Sequence, residues 1–214
     1  MFPRIFPAAA RRLPSRPSTG LALALTGVAL VACSSTPARA ALLTGPTCSQ
    51  GAVRQPFLRW GDANYYELVS GGDFEGSLSG WTLTGGAKTV AGSEPYAATG
   101  SLGASSLSLP AGASAQSPFT CVDAGYPSFR LFARNEALLS SVLVQVVYKT
   151  VLGTSTASLG IASLSASWNP TLPMLTNSII GGVLNGGTGQ VALRFIAVGG
   201  PSRIDDVFID PRMR

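Results

Sequence analysis

From Cys48 onward the chain is cut every few residues, with apolar runs of four to eight residues alternating with clusters of Gly, Pro, Ser and Asn. Glycine pairs at Gly71-Gly72, Gly85-Gly86, Gly181-Gly182, Gly186-Gly187 and Gly199-Gly200 mark the cuts most sharply. Between them no stretch is long enough for an apolar stripe of period 3.6 with capping residues, so helices cannot carry the fold. Runs of this length bounded by turn residues read as strands.

The pattern predicts strands over 65–69, 81–84, Lys88–Ala91, Ser105–Leu109, 129–134, 142–149, 154–161, 190–198 and 203–209. Alternation assigns faces: Val191, Leu193 and Phe195 share one side of their strand, and Arg194 points to the other. The best helical candidate is short, over 135–141, and 169–189 reads as an elaborated loop between late strands. About nine short, regularly spaced strands argue an all-β β-sandwich.

The first forty residues have a different grammar. Arg4, Arg11, Arg12 and Arg16 precede an apolar core, 21–32, and small residues lead up to Ala38-Arg39-Ala40. This is the layout of a cleavable secretory signal. The core is shorter than the about 20 residues that span a bilayer, so the processed chain is expected to carry no transmembrane segment. Two processing routes are open. Cleavage after Ala40 releases a soluble protein, whereas Leu30-Val31-Ala32-Cys33 is similar to a bacterial lipobox that would place a lipid on Cys33. The expected division is 1–40 signal, 41–64 an N-terminal extension carrying Cys48, and 65–214 the sandwich. The expected location is secreted or cell-surface.

The formal charge of +5 belongs to that signal. Beyond Ala40 ten basic residues balance all ten acidic ones. A neutral domain lacks the field that gathers nucleic acid, and nucleic-acid binding is excluded on that ground.

Of the three cysteines, Cys33 is removed or lipidated by either route, which leaves Cys48 and Cys121 as an even pair. In an oxidising compartment these are expected to form a disulfide. It would close a loop of more than 70 residues, worth on the order of 4 kcal/mol in the chain-entropy account. The chain contains no histidine and no Cys-x-x-Cys, which argues against a zinc site and against Ser-His-Asp or Cys-His catalysis.

Two segments are more specific than composition. Ser70-Gly71-Gly72-Asp73-Phe74-Glu75-Gly76 is followed by Gly80-Trp81-Thr82-Leu83, and Arg203-Ile204-Asp205-Asp206-Val207-Phe208-Ile209 lies near the C-terminus. In this order they resemble the galactose-binding-like jelly-roll carbohydrate-binding modules, which open with Asn-Gly-x-Phe-Glu…Gly-Trp and close with Ile-Asp-Asp-Val. The chain departs from that pattern at Gly71, where asparagine is usual. Gln55-Pro56-Phe57…Trp60-x-Asp62 also resembles the opening of a group of uncharacterised secreted proteins of high-GC bacteria.

The resemblance implies a jelly roll whose first and last strands are neighbours. It also implies a structural calcium ion held by Asp73, Glu75, Asp205 and Asp206, since converging carboxylates disfavour each other's ionisation and calcium takes oxygen ligands. Phe74 and Trp81 are expected in the core. The function implied is non-catalytic binding of polysaccharide or cell-surface glycan by exposed aromatics, the candidates being Trp60, Tyr96, Tyr126 and Tyr148. The first alternative is a surface or structural interaction domain without a sugar site. The second is a carboxylate-dependent glycosidase.

Overall fold

The computed structural model describes residues 51–123, 128–150, 152–163, 165–175 and 188–210. The chain divides into a unit Met1–Ala41, outside the described residues, and a unit Leu42–Arg214. The strands are β1 (Val53–Arg54), β2 (Tyr66–Leu68), β3 (Thr82–Thr84), β4 (Lys88–Ala91), β5 (Ser105–Leu109), β6 (Ser114–Gln116) and β7 (Thr120–Asp123). They continue with β8 (Ser128–Asn135), β9 (Ser141–Thr150), β10 (Gly153–Ser163), β11 (Asn169–Pro170), β12 (Met174–Leu175), β13 (Thr188–Val198) and β14 (Ser202–Asp210). All pairings are antiparallel, and they form two sheets, an all-β jelly-roll sandwich.

One sheet runs β1-β2-β14-β5-β4, with β8 on the other side of β14 and the short β11 and β12 on β8. The second runs β10-β9-β13-β6-β3, with β7 also on β13. Between the sheets lies the main core. Val142, Val144, Val146 and Tyr148 of β9 meet Val191, Leu193, Phe195 and Ala197 of β13, and β8 and β14 supply Phe129, Leu131, Ile204, Val207 and Ile209. The alternation of β13 holds as read, with Val191, Leu193 and Phe195 buried and Arg194 on the outer face.

The eight-stranded sheet is covered on its other face too. Phe132 and Phe208 point away from the main core and pack with Phe57, Tyr66, Ala98 and Trp168. Phe57 is wholly buried there, a gain of about 1.5–3 kcal/mol for a side chain of this size. Val53 and Arg54 pair with Glu67 and Tyr66. From Val53, then, the segment read as an extension forms a strand and part of an outer layer of the sandwich.

Four regions differ from the sequence reading or add to it. The stretch 135–141 is no helix: Asn135 ends β8, Ser141 begins β9, and a turn joins them. Its leucines Leu138 and Leu139 are 93% and 80% exposed, so no core stripe holds a helix there. β6 and β7 are additional, two short strands flanking Pro118. Within 169–189, Asn169–Pro170 and Met174–Leu175 pair with β8.

The two specific motifs meet as expected. β14 is beside β2 through Phe208↔Leu68 and Ile209↔Glu67, and beside β5 through Ser202 to Ile204. The change of neighbour falls at a bulge between Asp205 and Phe208, with Asp206 at φ 46°. The Gly72 turn fills the gap: the Val207 N–H donates to Gly72 O at 3.0 Å and the Val69 N–H to Val207 O at 2.9 Å. A Cβ on Gly72 would sit 2.9 Å from Val69 O, so only glycine closes this junction. Gly71 has φ 66°, a region asparagine also tolerates, so the departure from the usual asparagine preserves the turn. Phe74 and Trp81 are core residues, in edge contact at 5.1 Å, and the Trp81 indole donates to Ser70 O at 2.9 Å.

Candidate functional site

The segment 55–66 is fastened to the outer face of the eight-stranded sheet by a polar clasp beneath its aromatics. Arg130 of β8, only 5% exposed, donates to Asp62 Oδ2 at 2.6 Å and to Thr171 O at 2.7 Å. Its guanidinium also lies over the Phe57 ring at 4.2 Å. The Tyr66 hydroxyl donates to the same Asp62 oxygen at 2.7 Å, and the Gln55 amide donates to Ala63 O at 2.6 Å. Burial pushes the Asp62 carboxyl up, but the Tyr66 hydroxyl, the Arg130 guanidinium and the Asn64 N–H more than offset it and hold it below the usual range. Gln55, Phe57 and Asp62 of the sequence motif therefore anchor the short 3-10 turn Leu58–Trp60.

That turn sets Trp60 against Tyr96. The rings meet edge-to-face at 4.9 Å, and both pack on Phe132. Each is half-buried. The Tyr96 hydroxyl donates to Trp168 O at 2.8 Å. The loop bearing Tyr96 is clamped from below by Glu94, 2% exposed, whose carboxylate accepts the Tyr96 N–H and, at 2.8 Å, the Ala98 N–H. Between them Ala97 is held at φ 55°, an unfavourable conformation for a residue with a Cβ.

Beside this loop is a surface cleft of about 230 Å³ lined by Arg54, Gln55, Pro56, Tyr96 and Ala97. Arg54 runs along Gly100 at its wall. Arg59 lies over both aromatic rings, its guanidinium carbon 4.9 Å from the Trp60 centroid and 4.7 Å from that of Tyr96. Two of the four aromatic candidates are thus brought together. Tyr148 is a correction: it is 2% exposed in the main core, and burial pushes its hydroxyl up to about 12. It faces inward because it alternates in phase with Val142, Val144 and Val146. Tyr126 lies outside the described residues, as do Cys33 and Cys48. Cys121, on β7, is half-buried against the core.

The expected calcium ligands divide. Asp205 and Asp206 are buried at 0% and 4% exposure, and Asp73 lies close enough for its charge to act on Asp206. Glu75 turns elsewhere, accepting the Ala104 and Ser105 N–H groups at 2.8 and 2.7 Å. Its place beside the two aspartates is taken by Glu94, which the motif did not mark. Asp205 Oδ2 accepts from the Ser93 hydroxyl at 2.7 Å and the Glu94 N–H at 2.9 Å, and its Oδ1 accepts from the Asp206 N–H at 3.0 Å. Among the described residues no three acidic or cysteine side chains are grouped so as to hold a metal ion. The calcium expectation therefore rests on the resemblance alone.

Protonation answers the same crowding. Burial pushes Asp205 up to about 7 against three hydrogen bonds, helped by the Glu94 charge. Burial, the charges of Asp205, Glu94 and Asp73, and a hydrogen bond with Glu94 push Asp206 up to about 9.

The outer face of the six-stranded sheet is of a different kind. Thr82, Gln116, Arg194, Gln145 and Ser158 lie in register across five strands. The Arg194 guanidinium donates twice to Gln116 Oε1, and the Gln145 amide donates to Ser158 Oγ. Four of these five bond in pairs, and the row contains no aromatic ring.

No protein-family model matches the chain, and no curated protein does. Solved structures do. The CBM22-1–GH10 modules of Clostridium thermocellum endo-1,4-β-D-xylanase 10B, complexed with xylohexaose, match at a TM-score of 0.50 and 12% identity. The match covers 70% of this chain and 29% of that one, so the chain spans under a third of that structure's length. A xylan-binding domain from CBM22 matches at 0.45 and 18% identity over 72% of this chain and 99% of its own. The family 11 carbohydrate-binding module from Clostridium thermocellum, with a β-1,3-1,4-mixed-linked tetrasaccharide, matches at 0.42 and 12% identity over 66% and 94%. The fold is a jelly roll of the kind found in carbohydrate-binding modules.

Proposed function

We propose that this chain is an exported, non-catalytic sandwich that binds extracellular or cell-wall carbohydrate in the cleft beside Tyr96. The observation that carries the reading is Tyr96, which lines a cleft from a strained, clamped loop and is held edge-to-face against Trp60. Aromatic faces stack on the apolar faces of sugar rings, and arginines and backbone groups at the rim supply hydrogen bonds. Carbohydrate is also what the similar xylanase modules hold in their crystal. The cleft is smaller than the about 300–1,000 Å³ of drug-sized ligand sites, so it suits one ring of a longer chain.

The non-catalytic part is supported by where the acids lie. A glycosidase needs two carboxyls flanking an accessible cleft, about 5–10 Å apart. Glu94, Asp205 and Asp206 are instead buried at 2%, 0% and 4% exposure, and none of the residues that line the Tyr96 cleft is acidic. Export is supported by the signal-like residues 1–40, and no helix among the described residues is long and apolar enough to cross a membrane.

A glycan array probed with the full chain, followed by a reducing-sugar assay on any bound polysaccharide, tests this. The expected result is binding without turnover, lost on Tyr96→Ala while the circular dichroism spectrum stays unchanged. Turnover overturns the non-catalytic reading. Silence across the array overturns the carbohydrate reading and favours a surface interaction domain, for which the exposed Leu138, Leu139 and Val198 are the supporting observation.

A further inference from the structure

We infer that the saccharide taken by the Tyr96 cleft is acidic, its negative group paired by Arg54 with Arg59 beside it. This rests on the carbohydrate reading above and narrows its ligand class.

The domain beyond Ala40 is neutral, yet its charges are unevenly engaged. Arg130 is paired with Asp62, and Arg134 and Arg203 are paired with Glu136. Among the described residues Arg54 and Arg59 have no such ion pair, and both stand at the cleft: Arg54 in its wall, Arg59 on the Tyr96 ring that lines it. The acids on the two segments that carry Trp60 and Tyr96 are already committed. Asp62 holds Arg130 and Tyr66. Glu94 is buried and accepts two backbone N–H groups. No acidic residue is among those that line the cleft, so Arg54 stands in its wall with no carboxylate beside it there.

The geometry around Arg59 adds to this. Stacked over two rings, its guanidinium is pre-oriented, and stacking leaves its edge N–H groups free for planar acceptors. A guanidinium recognises a carboxylate or sulfate through two parallel hydrogen bonds, which a neutral hydroxyl cannot match. An acidic sugar ring meets both halves of the site, packing against the Pro56, Tyr96 and Ala97 lining with its charged substituent towards Arg54.

The test titrates the full chain with oligogalacturonate, its methyl-esterified form, a sulfated carrageenan oligosaccharide and its desulfated form, by calorimetry at low salt. The expected result is at least tenfold tighter binding of one charged oligosaccharide than of its neutral counterpart, weakening as sodium chloride is raised. Which charged member binds identifies the carboxylate or the sulfate. Arg54→Gln should remove the preference while the melting temperature stays unchanged, and Arg59→Gln should reduce it. Equal binding of charged and neutral forms overturns the inference and leaves the carbohydrate reading standing. Binding of none of the four, with a neutral glycan bound on the array, also overturns the inference alone. Silence in both experiments overturns the two together. A full preference retained in both arginine variants removes the site from the cleft.

Discussion

Asp62 and Arg130 pair at 2.6 Å with 12% and 6% of their side chains exposed, and this contact joins the aromatic outer layer to the sheet beneath it. Removing one partner strands the other charge in a site closed to water, at a cost of about 3–5 kcal/mol. Asp62→Ala should lower the urea midpoint accordingly. Tyr66→Phe, which removes only the hydroxyl bonded to Asp62, should cost about 1 kcal/mol. A loss below 1 kcal/mol for Asp62→Ala would mean that the clasp is solvated in solution.

Stability should pass through a maximum at mildly acid pH. Asp62 is held below its usual value in the fold, so its contribution is present above about pH 4 and lost as pH falls through the folded value. Asp205 and Asp206 are raised, to about 7 and about 9, so the fold retains protons that the unfolded chain releases near pH 4. Their contribution is therefore full below about pH 4 and is lost progressively as pH rises towards 9. Thermal melts between pH 3 and pH 10 should trace both limbs. Asp206→Asn, which tolerates the positive φ of this position, should flatten the alkaline limb. Calcium at pH 8 should leave the melt unchanged, and a calcium-dependent rise would restore the ligand set implied by the resemblance.

Glu94→Ala takes the acceptor from the Tyr96 and Ala98 N–H groups, for an expected loss of about 1–3 kcal/mol. It also removes a negative neighbour of Asp206, so the alkaline limb should shrink in the same variant. Hydrogen exchange should show the amides of 96–98 opening first. Protection there equal to wild type would show that the clamp is dispensable.

Cys121 is expected to pair with Cys48, and peptide mapping under non-reducing conditions should recover the two in one cross-linked fragment. Intact mass of the exported form separates cleavage after Ala40 from lipidation of Cys33. A free Cys48 thiol in that form would refute the bridge.

Strands were legible because burial imposes a period. Lys88–Ala91 and Ser105–Leu109 have the bounds their apolar runs suggested, and Ser141–Thr150 extends its run by one residue at each end. Ser114–Gln116 was not legible, since Ala115 is its only apolar residue and two flanking residues cannot show an alternation. The adjacency of Gly72 and Val207 followed from the ordered motifs. Glu94 did not, because its role arises only when a loop between β4 and β5 folds over β14, a contact spanning about 110 residues. Arg59 was not legible for a related reason: a lone arginine looks solvated until Trp60 and Tyr96 come beneath it.

β13 and β14 are consecutive in the chain, yet each is central to a different sheet. β13 joins β9 to β6 and β7, and β14 joins β8 to β2 and β5. Until residues 188–210 arrive, β3 and β6 have no link to β9, and β4 and β5 have none to β8. A chain delivered N-terminus first thus stays an open string of hairpins through most of its synthesis, because its long-range pairings wait on the late strands. The last two strands act as the latch that closes both sheets at once.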